Sequence, residues 1–214
     1  MLKLFYSPGA CSLVPHIALE QAGADYEPVR VVLLQGEHLK PEYLAINPHA
    51  RVPALVIDQG TITENIAILN YIADRFSAAG SVPRGDAYVT AKCNELLGWF
   101  ASTVHITFAL IWRASRFSDE ENIHPLIQDY GRRILVAQFE EIEGLVGDGW
   151  LAGDHFSAAD TYALTFFRWG RRIGMDMRDY PKWAALNQRL LAEPSVQRVV
   201  DIEEIGFELF QPAA

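Results

Sequence analysis

Cys11 and Ser12 put a thiol and a hydroxyl side by side where a β-prone run gives way to a helical pattern. The stretch reads Tyr6-Ser7-Pro8-Gly9-Ala10-Cys11-Ser12, a turn leading into a helix with Leu13, Ile17 and Ala18 on one face. The first turn of a helix has unpaired N–H groups and the positive end of its dipole, so it stabilises anions. A thiolate in such a position can have its pKa lowered by about one to several units from its ordinary value near 8.5. Cys11 is therefore a candidate nucleophile, or a neighbour that holds another thiolate. The plainer alternative is a small buried hydrophobe beside an N-capping Ser12.

Two further segments are suited to binding. Val52-Pro53 opens an apolar run that ends at Ile57. Proline there lacks a ladder donor, and a cis bond is one solution; Val52 is then free to pair its backbone with a passing peptide. An ordinary edge-strand proline is the alternative. Thr61-Ile62-Thr63-Glu64-Asn65 leads into another helix. Free N–H groups and the Asn65 side chain there suit a carboxylate, and Glu64 suits an ammonium. Helix capping by Thr63 explains the same residues and is compatible with binding.

The elements that carry these residues follow from the pattern. A strand over residues 2–6, a helix from Ser12 to Gly23 and a strand from Val29 to Leu34 come first, the last suited to a sheet buried on both faces. A short helix at 42–45, a strand at 52–57, a hairpin through Asp58-Gln59-Gly60 and a helix at 64–76 complete the set. The order β-α-β-α-β-β-α is thioredoxin-like. Residues 77–85 read as a linker, and everything from 86 to 214 reads as helical. Leu97, Phe100, Val104, Phe108 and Ile111 make one apolar stripe; Leu135, Phe139, Ile142 and Val146 make another. Shorter helices fit 158–172, 182–191 and 195–204. The expected class is α/β plus all-α, with an N-terminal thioredoxin-like domain (1–76) and a C-terminal helical bundle.

The bulk numbers exclude several functions. Half of the 214 residues are hydrophobic, enough for a sizeable core, and the net charge of −9 argues against a phosphate backbone as partner. No apolar run approaches the roughly 20 residues of a membrane span, and the first six residues are too short for a signal peptide. A cytoplasmic protein is expected. Two cysteines without a CxxC pair and six scattered histidines give no metal-ligand pattern.

Taken together, the motifs resemble the cytosolic glutathione transferases, and most closely their bacterial beta class. The matching stretches are Tyr6 to Ser12, Pro15 to Leu19, Asn47-Pro48, Arg51 to Leu55, Thr63 to Ile68 and Tyr71 to Asp74. Trp150 to Gly153 and Phe156 to Asp160 continue the match in the second domain. The resemblance implies glutathione as cosubstrate, no metal, and a homodimer. It implies that Val52, across a cis bond to Pro53, pairs with the cysteinyl part. Glu64 and Asn65 would hold the γ-glutamyl end, with Cys11, Ser12 and His105 near the sulfur. Beta-class enzymes often carry a lysine beside that histidine, whereas Ile106 and Thr107 follow here. Ser157-Ala-Ala-Asp160 has the form of a capping box and is assigned to folding. Tyr6 is not expected to serve as the acid.

The mechanism implied is conjugation. The glutathione thiolate, stabilised at the helix N-terminus by Cys11, Ser12 and His105, attacks a small hydrophobic electrophile in a pocket lined by Phe108, Ile111 and Trp112. The alternatives are glutathione-dependent thiol–disulfide reduction through Cys11, and a non-catalytic binding or regulatory protein.

Overall fold

Strand β1 (Leu2–Tyr6) lies inside a four-stranded sheet of order β2-β1-β3-β4 in a computed structural model that describes residues 1–76 and 80–206. It runs parallel to β2 (Tyr26–Arg30) and antiparallel to β3 (Ala54–Ile57), which continues antiparallel into β4 (Gly60–Thr63). Helix α1 (Leu13–Gln21) makes the crossover that joins these parallel strands. With α2 (Pro41–Leu44) and α3 (Asn65–Arg75), this is the thioredoxin-like arrangement.

The second strand differs from the sequence expectation. Pairing with β1 covers Tyr26–Arg30, and the last bond joins the Val31 N–H to the Tyr6 carbonyl at 2.7 Å. The chain then leaves the sheet. The Glu37 carboxylate takes the Val32 N–H at 2.7 Å, and Gly36 at φ 70° closes a tight turn over Leu33–Gln35, leaving Leu34 97% exposed. A local side-chain bond thus outcompetes the β-propensity of the Val31–Leu34 run. β2 is an edge strand, which is why it tolerates Pro28.

The helical domain contains α4 (Ala87–Trp99), α5 (His105–Trp112), α6 (His124–Leu145), α7 (Ala158–Arg172), α8 (Pro181–Leu191) and α9 (Pro194–Ile202). The two expected stripes are its core: Leu97, Phe100, Val104, Phe108, Leu135, Phe139 and Ile142 are wholly buried. α4 and α5 form one continuous helix through a π-helical stretch, Phe100–Val104. Ala87–Trp112 has a mean hydropathy of 1.3 in its most apolar part and is long and apolar enough to cross a membrane. It departs in this from the expectation that no stretch would qualify, because Thr, Ser and His interrupt the run without adding charge. Here α4 packs on α7 and α5 on α6.

The Ser157–Asp160 capping box forms, with the Asp160 carboxylate accepting the Ser157 N–H at 2.8 Å and the Leu151 N–H at 2.8 Å. This holds the start of α7, which packs with α9 against α1. Of the segment read as a linker, residues 77–79 lie outside the described residues. Ser81 and Val82 are buried, and the Ser81 carbonyl accepts the Ala158 N–H at 2.7 Å.

Candidate active site

The loop between β1 and α1 is held from three directions. Gly9, at φ 63°, gives its N–H to the Glu203 carboxylate at 2.7 Å. Its carbonyl accepts from Arg168 at 3.1 Å and from the Trp169 indole at 2.8 Å. A Cβ at this position would stand 2.2 Å from the Arg168 guanidinium, so neither the backbone angle nor the space admits a side chain. The other Glu203 oxygen meets His16 Nδ1 at 2.7 Å, and both side chains are fully buried. The loop is therefore anchored to α7 and to the end of α9.

Cys11 sits on this loop, two residues before α1, and its thiol donates to the Val52 carbonyl at 3.5 Å. The Val52–Pro53 bond is cis. The Val52 N–H has no acceptor among the described residues, while Tyr43 and Asn47 fix the neighbouring Arg51 carbonyl at 2.6 and 2.7 Å. Burial pushes the Cys11 thiol up to about 12, outweighing the favourable backbone N–H and the Arg113 charge. Of the alternatives open for Cys11, this desolvation favours a neighbour that holds another thiolate over a nucleophile. Desolvation by 8% residual exposure beats the dipole, and Cys11 is a neutral donor at ordinary pH.

Ser12 is wholly buried and faces inward: its hydroxyl accepts the Ser7 N–H at 3.0 Å and donates to the Ser7 carbonyl at 3.2 Å. It shapes the loop, and its one hydroxyl hydrogen is spent there. Tyr6 lies against the His16 ring, with centroids 4.7 Å apart, in the core.

Glu64 and Asn65 divide differently from the sequence expectation. Glu64 is exposed and holds φ 69° and ψ 128°, a strained conformation for a residue with a side chain. The Asn65 amide is turned into the protein, donating to the Cys11 carbonyl and to the Tyr162 hydroxyl at 3.1 Å each. Its side chain braces the cysteine loop against α7; its position as first residue of α3 leaves only the backbone N–H for a ligand.

His105 opens α5, half-buried, with its ring 5.0 Å from that of Trp169. Because Trp169 also holds Gly9, the histidine shares a wall with the Cys11 loop. Burial, reinforced by Arg113, Arg51 and Arg116, lowers its pKa to about 4, so it presents a neutral imidazole. Phe108 and Ile111, expected to line a pocket, are core residues at 0% and 5% exposure; Trp112, 43% exposed and 5.1 Å from Trp169, is the aromatic at the surface.

The chain matches the family model for the glutathione S-transferase N-terminal domain over residues 1–74 and that for the C-terminal domain over 107–194. It is 33% identical over 207 residues, 96% of this chain and the whole of the relative, to glutathione S-transferase GST-4.5 of Xanthomonas campestris. The chain belongs to the glutathione S-transferase family. Among solved structures, a glutathione transferase homologue from Sulfitobacter with bound glutathione superposes at TM-score 0.88, with 34% identity over 94% of this chain and 98% of that one. A bacterial beta class glutathione S-transferase of Sphingomonas chungbukensis gives 0.82, with 33% identity over 95% and 100%.

Several residues of this transferase cleft escaped the sequence reading. Gly9 was legible as a turn glycine, but its partners Arg168, Trp169 and Glu203 lie about 160 to 194 residues away. In the sequence Tyr162 is one aromatic among several in an apolar helical stretch. Arg51, Arg113 and Arg116 were visible only as the residue before Val52-Pro53 and as an Arg-Ala-Ser-Arg run ending an apolar helix.

Proposed function

We propose that this protein is a beta-class transferase that conjugates the thiolate of glutathione to small electrophiles, with Cys11 as a hydrogen-bond donor to the thiolate. The reading is carried by the 3.5 Å bond from the Cys11 thiol to the Val52 carbonyl. It puts a neutral S–H donor beside the backbone segment suited to pairing with the cysteinyl residue; when the cysteinyl N–H takes the Val52 carbonyl, the one thiol hydrogen turns to the sulfur. In this reading glutathione extends from Glu64, which takes its ammonium, past the Asn65 N–H, which takes the α-carboxylate at the start of α3, and across Val52. The neutral His105 imidazole supplies a second N–H donor near the sulfur. A thiolate that accepts two such bonds is stabilised over its thiol, and each unit of pKa depression is worth about 1.4 kcal/mol. The electrophile enters beside Trp112. A cytoplasmic homodimer belongs to the same proposal and should elute at twice 24.0 kDa on light scattering.

Purified protein should bind immobilised glutathione and turn over 1-chloro-2,4-dinitrobenzene. Cys11→Ala should keep glutathione affinity and retain conjugation at a reduced kcat. Absence of both activities in the wild type would sink the proposal. Thiol–disulfide exchange through Cys11 is disfavoured by the burial that keeps it protonated. A glutathione-mass adduct on Cys11, formed quickly with oxidised glutathione at neutral pH, would reinstate it.

A further inference from the structure

The cleft has opposite charge at its two ends. Glu64 stands at one, beside the start of α3. At the other, two arginines follow Trp112, whose ring lies 5.1 Å from that of Trp169, the residue that holds Gly9. Arg113 caps the C-terminal end of α5, and its carbonyl takes the Arg116 N–H at 2.9 Å, so the two project from a single turn. Arg51 lies in the first domain next to Val52, its carbonyl held by Tyr43 and Asn47. The positive charge of Arg113 is felt at Cys11, His38, His105 and Arg116, and that of Arg51 at His105 and Arg116. None of the three arginines has a carboxylate partner among the described residues, although the chain carries 27 carboxylates against 18 lysines and arginines.

Arg116 and Arg51 are exposed and Arg113 half-buried, and burial with the charges of Arg113 and Arg51 lowers the pKa of Arg116. Nearby groups give little relief. His38 is held neutral by burial and by Arg113 and Arg116, its Nδ1 is buried without a partner, and His105 is neutral as well. Glu64, the carboxylate that acts on Cys11, belongs to the other end. Guanidinium is the group best shaped for a carboxylate, through two parallel N–H bonds. Trp112 lies next in the chain to Arg113, with 43% of its surface open.

We propose that Arg113 and Arg116 bind a carboxylate on the second substrate, so that the preferred electrophile is an aromatic or unsaturated acid seated on Trp112. This rests on the transferase reading of the cleft. Glutathione brings a carboxylate of its own on its glycine, and it would compete for the same chemistry. Two arginines from the helical domain, beyond the one next to Val52, provide for a second anion.

The test uses a matched pair, 4-chloro-3,5-dinitrobenzoate and the neutral 4-chloro-3,5-dinitrobenzamide. In both, the thiolate sulfur bonds to the ring carbon and chloride leaves with the C–Cl electron pair. Each kcat/KM is divided by the uncatalysed rate with glutathione at the same pH. The acid should be favoured by about tenfold or more, and Arg113→Gln or Arg116→Gln should bring the ratio close to one. In parallel, calorimetry with unreactive 3,5-dinitrobenzoate and 3,5-dinitrobenzamide, in the presence of S-methylglutathione, should give the same preference, weakened at high salt. Conjugation of both compounds without preference would overturn the proposal and leave the transferase reading intact. Preferential binding of the benzoate without turnover would support the carboxylate site and count against the transferase reading. Arginine variants that raise KM for glutathione, but not for its glycine amide, with the electrophile ratio unchanged, would assign the arginines to glutathione and overturn the proposal.

Discussion

Replacing Gly9 with alanine tests whether the cysteine loop is held by contact with the helical domain. The backbone at φ 63° costs an L-residue about 1–2 kcal/mol. The new Cβ would also lie 2.2 Å from the Arg168 guanidinium, which has to move. Arg168 is 7% exposed, and burial lowers its pKa to about 10; displacing it costs its charge-assisted bond to the Gly9 carbonyl, about 1.5–3 kcal/mol. The sum is about 2.5–5 kcal/mol, a large share of the roughly 5–15 kcal/mol that holds a domain together. Urea unfolding at constant slope should move its midpoint accordingly, and the melting temperature should fall by on the order of 10 °C. In an Arg168→Ala background the clash is gone, so the same glycine substitution should cost only its backbone share, about 1–2 kcal/mol. Equal costs in both backgrounds, within about 0.5 kcal/mol, would refute the claim that Arg168 and Gly9 are coupled.

Three further outcomes follow from the same site. Asn65→Ala strands the Cys11 carbonyl and the Tyr162 hydroxyl and should cost about 2–3 kcal/mol, against about 1 kcal/mol for Tyr162→Phe; a loss under 0.5 kcal/mol for Asn65→Ala would contradict the brace. With its thiol pushed up to about 12, Cys11 should react with iodoacetamide at a rate that keeps climbing from pH 7 to 10, and a plateau below pH 8.5 would show an activated thiolate instead. His105 is depressed to about 4 in the fold, so between there and about 6.5 the unfolded chain binds a proton that the folded one does not. Its contribution is complete above pH 6.5 and is lost as pH falls toward 4; His105→Gln should flatten the stability profile in that window by up to about 1.4 kcal/mol per pH unit, as read by urea midpoints.

The sequence made the domain order, the apolar stripes and the Ser157 capping box legible because each rests on local periodicity or on residues three apart. It failed at Val31–Leu34, where a single bond from Glu37 redirects a β-prone run. In the cleft, Val52-Pro53 could be found because proline at a strand start needs a reason. The direction of a side chain could not. Ser12 and Asn65 carry the right chemistry at the right positions, yet both spend it inward, on Ser7 and on Cys11 with Tyr162. Nor does position reveal desolvation, which here raises the Cys11 pKa where a helix start would lower it.

The Gly9 carbonyl is shared by Arg168 and Trp169 of α7, while its amide is taken by Glu203 beyond α9. The two halves of this protein are consequently poor interchangeable parts. A chimera that joins this N-terminal half to the helical half of a relative would inherit a loop cut to fit a guanidinium and a carboxylate it no longer meets. Grafts should succeed only when the loop and its three distant partners travel as one cassette, and the same constraint ties the evolution of substrate choice in the helices to the integrity of the thiol site.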